Sequence, residues 1–156
     1  MKAYLAGAIE YAPDGGKSWR ELVEKFLTDK LGHSCYNPVK EEFKIIPPSE
    51  YKSFRSLKDK DLDRFRYYMG KIIDRDLRVL TREIDYVICY WDRYAVKGGG
   101  TYGELTIAYH YGIPVYMVSE FKPGEMSSWV IGCTLEIFNS FEALFEFLLQ
   151  RYNEQA

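Results

Sequence analysis

Long hydrophobic runs are missing from this sequence. None approaches the ~20 apolar residues that a membrane-spanning helix requires, and the charged Lys2 precedes an apolar stretch too short for the core of a signal peptide. Charge of one sign is missing too. Charged residues make up 28% of the chain but the formal net charge is -2, so no basic field exists to hold a nucleic-acid polymer. Cysteine is scarce: Cys35, Cys89 and Cys133 have no metal-type spacing and read as reduced thiols of a cytoplasmic protein. His33 and His110 are isolated from one another, which disfavours a histidine base. Internal repeats and low-complexity tracts are absent. No metal, no cofactor and no membrane partner is therefore expected, and 156 residues are expected to form one domain, 1–156, with a single substantial core.

What is present concentrates between Asp85 and Val118. The run Tyr86 to Trp91 is β-branched and aromatic and lies between polar residues, the pattern of a strand buried on both faces. Gly98, Gly99 and Gly100 follow, where the backbone is free to turn and a ligand to approach. Thr101 is placed to cap the next helix, and Glu104 three residues on completes a capping-box pattern. Gly112 and Pro114 end that helix, and Val115 to Val118 form the next strand. Glu104 thus has two readings. It is a cap, or it is a carboxylate in the crevice where strand C-termini meet helix N-termini in an open α/β sheet. There it is badly placed to hold a phosphate and well placed to attack an electrophile.

The chain opens with a strand, Lys2 to Ala6, ended by Gly7. The loop Ala8 to Lys17 is long for such a connection, and loops of that kind tend to be functional. Ser18 is expected to cap a helix with Trp19, Leu22, Val23, Phe26 and Leu27 at helical spacing, stopped by Gly32. His33 to Tyr36 is a short strand, and Asn37-Pro38 turns the chain out of it. Residues 39–57 lose their period and contain Pro47-Pro48, which predicts an irregular surface excursion. Its aromatics Phe43, Tyr51 and Phe54 either cover a ligand or pack down onto the domain.

A helix over Lys58 to Thr81 follows. Leu62, Phe65, Met69, Ile72, Ile73 and Leu80 form one stripe, and Asp76 falls near its middle. An acid on an inward face costs free energy unless it is paired or used. Asp76 is then either bridged to Arg20 or Arg78, or the cap of a neighbouring helix, or an acid with a shifted pKa. After the loop Phe121 to Ser128, a last strand lies within Trp129 to Ile137, and Ser140 caps a closing helix. The element order predicts an α/β three-layer sandwich, Rossmann- or flavodoxin-like, with a mainly parallel sheet of about five strands.

The opening YLAG, Asn37-Pro38, Asp76-Leu77, and the strand followed by GTYGEL and GIPVYMV together resemble the nucleoside 2-deoxyribosyltransferase family, which includes relatives that hydrolyse nucleoside 5'-monophosphates. The resemblance spans most of the chain but not residues 39–57, and no single motif in it is unique. It implies Glu104 as nucleophile on the anomeric carbon, Tyr4 as the residue that orients it, and Asp76 as the group that handles the sugar or the leaving base. The loop PGEMSSW is similar to one that a neighbouring subunit contributes, which implies a homo-oligomer whose 125–129 loop, through Glu125 and Ser127, completes the site. The transferases proper carry a second aspartate shortly before the nucleophile. Gly98 stands at that spacing here, so either Asp92 reaches in or the role is absent.

The expected substrate contacts are then Gly7, Arg20, Asp92, Gly100 and Thr101, with Arg20 belonging to one of two candidate phosphate sites; the other is the amide cluster at a helix N-terminus. The expected activity is N-glycosidic cleavage of a nucleoside or nucleotide through a covalent glycosyl-Glu104 intermediate, with transfer to another base or to water. Two rival readings remain. GGGTYGEL also resembles the PGGxGTxxE signature of cytokinin-activating phosphoribohydrolases, and a nucleotide-sensing module would use Glu104 only as a cap.

Overall fold

Each of the five strands predicted from the sequence forms, and all run parallel. A computed structural model, which describes residues 1–153, places β1 at Lys2–Gly7, β2 at Ser34–Tyr36, β3 at Tyr86–Trp91, β4 at Val115–Ser119 and β5 at Glu136–Phe138. They pair in the order β2-β1-β3-β4-β5. Successive side chains of a strand point to opposite faces, so every strand feeds two cores. Tyr4, Ala6, Val87, Cys89, Val115 and Met117 face one side. Ala3, Leu5, Tyr86, Ile88, Tyr116 and Val118 face the other. Covering both faces is what makes the strands read as continuous apolar runs.

On the first face lie α5, Leu62–Glu83, α6, Gly99–His110, and α7, Ser128–Gly132, after the short helices α2, Pro38–Glu42, α3, Pro48–Tyr51, and α4, Leu57–Lys60. The other face is covered by α1, Lys17–Phe26, which widens into a π turn over Leu27–Leu31, and by α8, Phe141–Asn153. Among the described residues no helix is long and apolar enough to cross a membrane.

Helix ends depart from the sequence reading where a competing side chain wins. Ser18 is not the cap of α1. Asp14 takes the amides of Gly16 and Ser18, both at 2.8 Å, and the Ser18 hydroxyl at 2.6 Å. The Ser18 bonds hold the Asp14 carboxyl down at about 2. The single helix expected over Lys58 to Thr81 is broken at Asp61, whose side chain accepts from the Arg64 amide at 3.0 Å and starts α5 afresh. The last strand is only Glu136–Phe138, because Trp129 and its neighbours wind into α7. Ser140 does cap α8, accepting from the Ala143 amide at 3.1 Å.

Residues 39–57 are not an irregular excursion. Ile46, Phe54 and Ile72 are almost fully buried together, so the segment carries a small core of its own against α5. Phe54 stacks on Phe65 at 5.0 Å, whereas Phe43 and Tyr51 stack on each other at 3.9 Å with Phe43 largely exposed.

Candidate active site

The strand order reverses between β1 and β3, and the crevice beyond their C-terminal ends is where an open parallel sheet binds its ligand. A cavity of about 420 Å³ opens there, within the roughly 300–1,000 Å³ usual for small-molecule sites. Its apolar wall comes from Met69, Ile72, Ile73 and Leu77 of α5 and Ile107 of α6. Gly98 to Gly100, Thr101 and Gly103 form the opposite rim. A Cβ at Gly99, Gly100 or Gly103 would meet nothing within 4 Å, so these glycines leave space in the cavity rather than avoid a clash.

Two carboxylates are held in this cavity by two tyrosines. Tyr4 and Tyr36 are register partners on β1 and β2, so their rings leave the sheet on the same face and stack at 5.3 Å with an interplanar angle of 23°. The Tyr4 hydroxyl donates to Glu104 Oε1 at 2.6 Å, and the Tyr36 hydroxyl donates to Asp76 Oδ1 at 2.6 Å. Arg75 adds Nε at 3.0 Å and Nη2 at 2.8 Å, both to the same Asp76 oxygen. Among the described residues nothing bonds Glu104 Oε2 or Asp76 Oδ2, and both residues line the cavity.

Burial raises the Glu104 carboxyl from the ordinary 4.5 to about 7; the Tyr4 bond and the Arg20 charge pull it down, while the Asp76 charge pushes it up. Burial also raises Asp76, against the bonds from Tyr36 and Arg75. Glu42 and Arg55, paired at 3.3 Å, line the same cavity from the 38–60 segment, and burial raises Glu42 as well. Sequence reasoning missed Glu42, Arg55, Tyr36 and Arg75. No local pattern marks them, since each acts through a partner distant in the chain or through packing not visible in the periodicity.

The capping box expected of Thr101 and Glu104 does not form. Gly98 is the N-cap, no side chain caps the helix, and α6 starts two residues before Thr101. Glu104 therefore sits in the second turn with its side chain turned to Tyr4. Gly7, Gly100 and Thr101 all line the cavity. Gly7 is required for packing as well, because a Cβ there would come within 2.9 Å of the Trp19 ring and 3.1 Å of the Tyr90 carbonyl.

Other expected contacts are placed elsewhere. Arg20 is fully buried and donates to the carbonyls of Leu5, Gly7, Ala8 and Gly16, so it braces the loop after β1, and among the described residues it bridges to no carboxylate. The cation paired with Asp76 is Arg75, not Arg20 or Arg78. Asp92 turns its Oδ1 to the amides of Tyr94 and Ala95 at 3.0 and 2.8 Å and does not line the cavity. Glu125 accepts from the Lys122 amide at 2.9 Å, and neither it nor Ser127 lines the cavity of its own chain. His33 contacts the Tyr86 hydroxyl at 2.8 Å as a packing residue. Among the described residues no three His, Cys, Asp or Glu side chains are grouped to hold a metal ion.

Five parallel strands between helical layers, with a crevice at the reversal of strand order, define a three-layer α/β sandwich of the flavodoxin-like order. No family model and no curated protein matches the sequence. Solved structures match in shape. A 2-deoxyribosyltransferase from the psychrotolerant bacterium Bacillus psychrosaccharolyticus aligns with a TM-score of 0.67 at 16% identity, over 93% of this chain and 90% of that one. The fold is that of this transferase.

Proposed function

We propose that the protein cleaves the N-glycosidic bond of a (deoxy)nucleoside, or of its 5'-monophosphate, and passes the sugar to another base or to water. The observation that carries the reading is the pair of half-tethered carboxylates, Glu104 and Asp76, each presenting one unbonded oxygen to the same cavity. Breaking this bond builds positive charge on the sugar, and a carboxylate positioned beneath the anomeric carbon traps it as a glycosyl-enzyme. Glu104 is the nucleophile, with Tyr4 fixing Oε1. Asp76, whose carboxyl burial also raises, protonates the departing base, and Glu104, raised to about 7, attacks in its ionised form. A second base or water then attacks the anomeric carbon and regenerates Glu104.

Several observations refine the reading. With the capping box gone, Glu104 has no helix-capping role, which weighs against a sensing module. Glu10, Glu42, Asp76 and Glu104 line the cavity against Arg55, which is itself paired, and this balance favours an uncharged 5' end. The open rim of Gly98 to Gly100 at the α6 N-terminus supports a 5'-monophosphate as the second reading. Trp129 is 65% exposed beside the 125–128 loop, consistent with a homo-oligomer in which a neighbour's 125–129 loop closes the site.

The test is incubation with a panel of nucleosides and 5'-monophosphates, with and without a free base, following base release by chromatography. Glu104→Gln is expected to keep fold and ligand binding while losing turnover by about 10³-fold or more. Equal turnover in the variant removes Glu104 as nucleophile.

A further inference from the structure

The three hydrogen bonds to Asp76 all reach one oxygen. Tyr36 donates at 2.6 Å and Arg75 at 3.0 and 2.8 Å, each to Oδ1. Arg75 has donors only and keeps its charge at any working pH. Its third nitrogen, Nη1, donates to the Glu41 carbonyl at 2.5 Å, which ties the guanidinium to α2 and holds the fork in place. An oxygen already surrounded by three donors has no room for a proton of its own. Among the described residues none bonds Oδ2, and Asp76 lines the cavity.

We infer that Tyr36 and Arg75 are positioning residues that select which oxygen of Asp76 carries the acid proton: Oδ1 is kept as acceptor, so the proton sits on Oδ2 and is aimed at the departing base. The inference rests on the glycosidic reading above. In the step it serves, the bond from the anomeric carbon to the base nitrogen breaks and its electron pair goes to the base. The base takes the proton from Oδ2, and Glu104 Oε2 bonds the anomeric carbon. A neutral nucleoside, one carboxylic acid and one carboxylate thus become a neutral base, a glycosyl ester and one carboxylate. The new charge lies on Asp76, where Arg75 already stands. Burial lets Asp76 hold the proton; the clamp directs it and accepts the charge left behind.

The groups facing Asp76 come from several elements. Tyr36 approaches from β2, Tyr4 from β1, Glu41 and Glu42 from α2, Glu104 from α6, and Arg75 from its own helix. Among the described residues only Tyr36 and Arg75 bond it, so these are the residues to change. Tyr36→Phe keeps the ring stacked on Tyr4 and removes only the hydroxyl; Arg75→Gln removes the charge and is the second variant should the first fail to fold.

Two readouts on the full chain decide it. The first is a carbon-13 NMR titration of the Asp76 carboxyl, assigned with Asp76→Asn. The midpoint is expected to rise in both variants, since each loses a donor to the ionised form. The second compares an ordinary purine nucleoside with its N7-methylated form, whose base already carries positive charge and leaves without taking a proton. Each variant is expected to lose about 10–100-fold in kcat on the ordinary nucleoside and less than about 3-fold on the methylated one. A folded Tyr36→Phe protein with an unmoved midpoint, or an equal loss on both substrates, overturns the inference. If the parent protein turns over neither nucleoside, the glycosidic reading fails instead, and the titration alone then decides whether the clamp acts on Asp76.

Discussion

Glu104 binds its proton more tightly folded than unfolded, with a pKa of about 7 against an ordinary 4.5. Below about pH 4.5 both states hold the proton and no difference arises; between 4.5 and 7 the unfolded chain has released it and the folded one has not, so stability falls as pH rises. Glu104→Gln removes this dependence. The variant is expected to match the parent near pH 4 and to exceed it by on the order of 3 kcal/mol at pH 8, measured by urea unfolding at both pH values. At the same site, Tyr4 donates the bond that pulls the Glu104 carboxyl down. Under the proposed function, Tyr4→Phe is therefore expected to move the acid limb of the kcat/KM profile to higher pH, and an unmoved limb would remove Tyr4 from the ionisation of Glu104.

Among the elements, α6 was the easiest to place and the hardest to bound. Thr101 and Glu104 imitate a capping box, and three glycines read as a loop because glycine is a poor helix former. Two of those glycines are helical nonetheless, since tertiary packing outweighs propensity. Gly100 tests the trade. A methyl there meets nothing within 4 Å, so Gly100→Ala is expected to raise thermal stability by up to about 1 kcal/mol while placing a methyl in the cavity and weakening ligand binding. Calorimetry with a bound nucleoside separates the two effects. The 38–60 segment was illegible for a different reason. Phe54 and Ile46 are buried against Ile72, Phe65 and Met69 of a helix further along the chain, and no periodicity within 38–60 announces such partners. Asp76 was legible, because an acid in the middle of an apolar stripe violates the pattern that surrounds it. Its partners Tyr36 and Arg75 violate none.

At the scale of the whole molecule, the parallel sheet was legible because strands buried on both faces leave unmistakable apolar runs, as Tyr86 to Trp91 and Val115 to Val118 do. The proposed contact between copies leaves a fainter mark. Trp129, 65% exposed, donates its Nε1 to Thr106 Oγ1 at 2.9 Å, and Tyr109, also 65% exposed, stands one turn along α6 from that threonine. Sedimentation is expected to find an oligomer of the parent chain, with Trp129→Ser shifting it toward monomer and reducing turnover in proportion. A fully active monomer would remove the neighbour's loop from the site.

The two tethering tyrosines do not stand on equal ground. Tyr4 belongs to an inner strand with a neighbour on each side, whereas Tyr36 closes β2, a three-residue strand at the border of the sheet. Fraying starts at borders. As the temperature climbs, the anchor of Asp76 therefore loosens ahead of the anchor of Glu104, and under the proposed function the protein is expected to forfeit difficult leaving groups before easy ones, narrowing its diet while most of the molecule is still intact.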